Sequence, residues 1–156
     1  MKLTKTQIKQ IIISFVTIIL VAVIGSIFVN IGMDWFNNLI KPSQWIPNIV
    51  IPIVWTFIYT TFAIINYLWI KNSVLPKKII ILMFINGILN VLWCLTFFTL
   101  KLTFIGNIVI ILNLILGYHL IYNIFKNKTV YGYILSIYPI WLSIATSLNL
   151  ALWILN

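Results

Sequence analysis

The chain has 156 residues, 63% of them hydrophobic and 7% charged, with a mean hydropathy of +1.14. Soluble domains carry about 25% charged residues, which excludes a water-soluble enzyme and points to an integral membrane protein. The formal charge of +9 comes from ten lysines set against Asp34 alone. With no arginine and with the lysines at segment ends, it reads as a topology signal and not as a nucleic-acid-binding face.

A helix that crosses a bilayer needs about 20 apolar residues, and five such segments fit into one all-α domain over residues 1–156. The first follows Lys2, Lys5 and Lys9 and covers about 8–31. That exceeds the apolar core of about 7–15 residues in a signal peptide, so it is read as a retained span. Its small pair Gly25 and Ser26 would admit a close neighbour. The longest connection, 34–47, holds Trp35, Phe36, Pro42, Trp45 and Pro47. Further spans are expected at about 48–70, 79–100, 103–125 and 130–155, joined by short lysine-bearing turns. The single cysteine, Cys94, lies within an apolar segment, where no intramolecular disulfide is possible.

Lys2, Lys5, Lys9, Lys71, Lys77, Lys78, Lys126 and Lys128 fall on one side of such a bundle, and Lys41 and Lys101 on the other. The positive-inside rule then places the N-terminus in the cytoplasm and the C-terminus outside. The tryptophan-rich first connection would lie on the outer face. Many Ile, Asn and Lys residues without Arg hint at an AT-rich bacterial genome, hence a bacterial plasma membrane.

Polar and aromatic residues recur at helical spacing. Pro52, Trp55 and Tyr59 share a face of the second span, where the proline is expected to cost one backbone hydrogen bond. A packing face with interfacial Trp explains this stretch as well as a lined cavity does. The third span carries Asn86, Asn90, Trp93 and Phe97 on one face. The fifth carries Tyr138, Trp141, Ala145, Leu148 and Leu152, with Asn149 alongside. A lipid-facing amide would cost a few kcal/mol, so these stripes should face protein or a cavity. At a rise of about 1.5 Å per residue, Trp55 and Trp93 both lie roughly 10 Å below the outer face. That coincidence favours a pocket, and flat aromatic walls with a few amides suit a planar apolar ligand.

Other chemistry is scarce. Paired carboxylates are absent, and His119 lies on the order of 20 Å from Asp34 by helix rise. No metal site is expected from one His and one Cys at different levels. Cys94 reads as a packing residue, with nothing cationic beside it in sequence to make it reactive.

The motifs in order resemble the TspO/MBR family of tryptophan-rich sensory proteins, also called translocator protein or peripheral benzodiazepine receptor. Trp35-Phe-Asn-Asn-Leu39-Ile-Lys41-Pro42 is similar to the family's W-(Y/F)-x-x-L-x-K-P. Trp45-Ile-Pro47 resembles W-x-P-P, and Pro52 to Tyr59 resembles P-x-W-x-x-L-Y. Asn90-Val-Leu-Trp93-Cys-Leu-Thr-Phe97-Phe98 matches N-x-x-W-x-x-x-F-F, and Trp141 to Asn149 matches W-x-x-x-A-x-x-L-N. Gln44 is an extra residue before Trp45, and Asn48 replaces the second proline, so the loop departs from the pattern.

The resemblance implies five helices around a pocket, usually in a homodimer, that binds porphyrins and benzodiazepine-type drugs. No obligatory cofactor is implied; porphyrin would be ligand or substrate. Trp55, Asn90, Trp93, Trp141, Ala145 and Leu148 would line the pocket, with Tyr59 on the same face as Trp55. Trp35, Trp45 and Pro47 would sit in or under a lid. A light- and oxygen-dependent breakdown of bound porphyrin could draw electrons from Trp55 and Trp141. Sterol binding is not expected, because Leu150 and Ile154 stand where the sterol pattern needs Tyr and a basic residue. A porphyrin or apolar-solute transporter and a ligand-free structural protein are the alternatives.

Overall fold

A computed structural model describes residues 3–43 and 45–156; the expectations placed on Lys2 and Gln44 lie outside them. Helix α1 (Lys5–Asn37) begins at a capping box: the Thr4 hydroxyl accepts from the Gln7 amide at 3.2 Å, and the Gln7 side chain accepts from the Thr4 amide at 2.9 Å. Helix α2 (Val50–Asn72), α3 (Lys77–Cys94) and α4 (Thr103–Asn127) follow, then α5 (Thr129–Leu135) and α6 (Ile137–Leu155). A π-helical turn, Leu95–Thr99, continues α3, and α5 with α6 makes one rod of membrane-crossing length. Among the described residues, five rods are thus long and apolar enough to cross a bilayer.

The boundaries differ from expectation at three places, each with a local cause. First, α1 runs on past residue 31 through Trp35 and Phe36, which the sequence placed in the connection. Phe36 is buried against Phe98 with ring centroids 5.1 Å apart, and Trp35 packs edge-on to Phe97 at 5.8 Å. Second, α2 starts at Val50, so Pro52 occupies its first turn, where amides have no intrahelical acceptor. The proline therefore costs no hydrogen bond, contrary to the sequence reading. Third, the fifth span breaks at Ser136. Pro139 has no N–H to offer Leu135, and the Ser136 hydroxyl instead donates to the Gly132 carbonyl at 2.7 Å.

The rods close into a ring. Helix α1 packs on α2 and α3, α3 on α4, α4 on α5 and α6, and these two on α2. At the lysine-rich end, Gln7 Nε2 donates to the Ile70 carbonyl at 2.7 Å, and Gln10 exchanges hydrogen bonds with the Leu75 backbone. At the opposite end, α1 meets the π-helical turn backbone to backbone. A Cβ on Gly32 would overlap the Phe98 carbonyl, so only glycine permits that approach, and Thr99 Oγ1 donates to the Phe28 carbonyl at 2.9 Å. The wider π turn brings consecutive Phe97 and Phe98 both inside. Lys101, at φ 57°, then reverses the chain in the left-handed region.

Outside, the ring is apolar: Ile12, Ile19, Ile31, Phe57, Phe84 and Ile115 are all more than half exposed. A surface of that kind needs lipid around it.

A candidate ligand cavity between the first three spans

The half of the bundle away from the lysine-rich end holds a cavity of about 350 Å³. Its aromatic wall comes from α2 and α3. Trp55 stacks on Tyr59, one turn below on the same helix face, at 5.6 Å and 29°. It lies 6.2 Å and 31° from Trp93 of α3, and its edge meets Tyr138 of α6 at 6.3 Å. Phe98 completes the wall, edge-on to Trp93 at 5.7 Å. Such offset and edge-to-face pairs hold one another in place.

The opposite wall is α1, which presents the small or slender side chains of Ala22, Gly25, Ser26, Val29 and Met33. Ser26 and Asn30 of α1 and Thr56 of α2 line the cavity while remaining exposed, so it opens sideways between these two helices.

Of the residues singled out from sequence, Trp55, Tyr59, Asn90 and Trp93 come together on this cavity. Trp141, Ala145 and Leu148 face into the bundle on α6 but lie outside its lining. Helix α6 packs on α2 and α4 and not on α1, the helix that forms the opposite wall of the cavity. Trp35 packs on Phe97, and Trp45 packs on Phe36 at 5.8 Å. Trp45 Nε1 also donates to Asn48 Oδ1 at 2.9 Å, so the asparagine in place of the family's second proline ties the loop to itself. Pro47 is exposed, and its carbonyl accepts the Val50 amide at 2.9 Å at the start of α2. Cys94 lines the cavity, whereas His119 is exposed on α4.

Asn90 is fully engaged by protein. Its Nδ2 donates to the Tyr138 hydroxyl at 3.0 Å and to the Asn86 carbonyl at 3.2 Å, and its Oδ1 accepts from Asn113 Nδ2 at 3.0 Å. Asn86 Nδ2 donates to Asn113 Oδ1 at 2.6 Å, and the Tyr138 hydroxyl donates to Asn86 Oδ1 at 2.8 Å. Four buried side chains thus close a polar network that joins α3, α4 and α6. Tyr59, by contrast, has a hydroxyl with no hydrogen-bond partner among the described residues, and the buried Trp93 Nε1 is likewise unpartnered, so the aromatic wall keeps free polar groups of its own. Sequence reasoning missed Asn113, and it read Gly25 and Ser26 as a helix contact and not as part of a cavity wall. Ala22, Gly25, Ser26, Val29 and Met33 recur at helical spacing and were the available signal for that wall.

A five-span helical membrane protein with an aromatic cavity between its first three spans is the class that this geometry defines. The chain belongs to the TspO/MBR family, whose sequence model matches residues 13–154. No curated protein matches it.

Proposed function

We propose that the cavity binds a flat, apolar tetrapyrrole, which the protein senses or sequesters within the membrane. The observation that carries this reading is the Trp55–Trp93 pair, backed by Tyr59 and Phe98 and set against a wall of small and slender residues on α1. A flat ring system slides between such surfaces and gains stacking over its whole face. Family membership supports the same ligand class. Flat benzodiazepine-type drugs fit it as well.

The lysine distribution supports an orientation with both the N-terminus and the lysine-rich end in the cytoplasm, in a bacterial plasma membrane. A homodimer is the assembly that the family suggests. Light-driven breakdown of the bound ring is an extension of the reading: the photoexcited porphyrin would take one electron from Trp55 and pass it to dioxygen, giving superoxide. The ring would then refill the Trp55 radical cation, and the porphyrin radical cation so formed would couple with the superoxide, opening the ring with uptake of one dioxygen. Trp55 is better placed for that than Trp141, because it lines the cavity.

The test is a titration of detergent-solubilised protein with protoporphyrin, following tryptophan fluorescence. Saturable quenching that weakens in Trp55→Phe and Trp93→Phe is expected. Quenching that rises without saturation, or that ignores both substitutions, would refute tetrapyrrole binding at this site.

A further inference from the structure

A second cavity of about 140 Å³ lies between α1, α2 and α3, toward the lysine-rich end. Tyr59 and Asn90 line both cavities and so form the partition between them. The second one is close in size to an apolar cavity of about 150 Å³ that accepts a benzene ring. Its walls are largely aliphatic and aromatic, yet they carry polar groups left over by the protein. The hydroxyls of Thr17 and Tyr59 make no hydrogen bond among the described residues. Asn66, 2% exposed, donates through Nδ2 to Ser14 Oγ at 2.8 Å while its Oδ1 has no partner. Unpaired polar groups in an apolar chamber favour an occupant with a polar group of its own. Ile13 and Phe84, which also line it, are 47% and 57% exposed on the membrane flank, so the approach is from the bilayer between α1 and α3.

We infer that this inner chamber is a second ligand site, for an apolar molecule of one ring or a small fused pair of rings that carries a single N–H or O–H group. It is independent of the tetrapyrrole reading, since its size excludes a macrocycle.

The two cavities have separate reporters. Met33 lines the main cavity and Met83 the inner chamber, so carbon-13-labelled methionine methyl groups distinguish them by NMR. Purified protein in micelles is titrated with indole, and then with indene, which keeps the fused-ring frame without the N–H. Indole should move the Met83 signal saturably and leave Met33 in place. It should bind about three- to tenfold more tightly than indene, the span of one net hydrogen bond. Thr17→Val or Tyr59→Phe should narrow that ratio. A Met33 response alone, shifts that grow linearly as in simple micelle partitioning, or equal affinities for the two probes would overturn the inference. So would a ratio unchanged in both variants. Protoporphyrin titration followed at Met33 tests the main cavity separately.

Discussion

The Tyr138 hydroxyl of α6 donates to Asn86 Oδ1 of α3 at 2.8 Å, in the middle of the bundle. With Asn90 and Asn113 it closes a network in which each amide answers another, so no free amide from this set is left for a ligand. Replacing Asn113 by Leu removes the acceptor of Asn86 Nδ2 and the donor to Asn90 Oδ1 together. Each buried group left unpaired costs about 1–3 kcal/mol, and hydrogen bonds between membrane helices sit at the low end of such values. Asn113→Leu should therefore destabilise by about 1–3 kcal/mol in reversible unfolding from mixed micelles. A stability equal to wild type would show that the network does not hold α3, α4 and α6 together.

The aromatic wall predicts a rank order for ligand affinity. Trp55 and Trp93 line the main cavity, and Trp141 does not. Trp55→Ala and Trp93→Ala each remove a stacking surface and should weaken protoporphyrin binding roughly tenfold or more. Trp141→Phe should change it by less than about threefold, a few tenths of a kcal/mol. A larger loss in Trp141→Phe than in Trp55→Phe would move the ligand out of this cavity and toward α6.

Two glycines of α1 provide a contrast in packing. A Cβ at Gly32 would overlap the backbone carbonyl of Phe98, which cannot swing away, whereas one at Gly25 would sit at 3.4 Å from Cys94 Sγ. Gly32→Ala should cost at least about 1–3 kcal/mol through forced separation of α1 from the π-helical turn. Gly25→Ala should be close to neutral, because helix propensity gains roughly what the cavity wall gives up. Thermal unfolding in detergent, read by circular dichroism, separates the two. Equal midpoints would mean that α1 is not seated on Phe98.

Helical spacing made the aromatic wall legible before any coordinates: Trp55 with Tyr59, and Asn90 with Trp93, each share a face. It also showed that Trp141 faces inward, as its burial bears out. Spacing along one helix does not tell which neighbouring helices close around a cavity, and α6 does not meet the α1 wall, so Trp141 lies outside the lining. Gly25 and Ser26 were legible as a small pair but not as part of a cavity wall, because the α1 residues matter there only as the surface opposite two indoles. Asn113 escaped because it has no polar neighbour at helical spacing on its own face, and its partners come from α3 and α6. The π-helical turn has no compositional mark; it follows from fitting Phe97 and Phe98 against α1 and α4 at once.

The loop beside the cavity is held at a single point from the far end of the chain. Asn156 Oδ1 accepts the Ile40 amide at 2.9 Å, and its Nδ2 donates to the Ile40 carbonyl at 3.0 Å and to the Leu152 carbonyl at 2.9 Å. One side chain thus satisfies both backbone groups of a loop residue and fastens it to the last turn of α6. Within the loop, Lys41 Nζ donates to the Phe36 carbonyl at 3.3 Å and lies 5.2 Å over the Phe36 ring, a residue that lines the cavity. Loosening Ile40 should therefore be felt at the cavity wall. Asn156→Ala removes both bonds to Ile40, worth about 1 kcal/mol each at most, so amide exchange at Ile40 should quicken roughly five- to tenfold. Exchange in the middle of α2 should not change. Bound protoporphyrin should also leave faster in stopped-flow displacement by a similar factor if the loop governs exit. Faster exchange at Ile40 with an unaltered off-rate would assign ligand exit to the lateral opening between α1 and α2 instead.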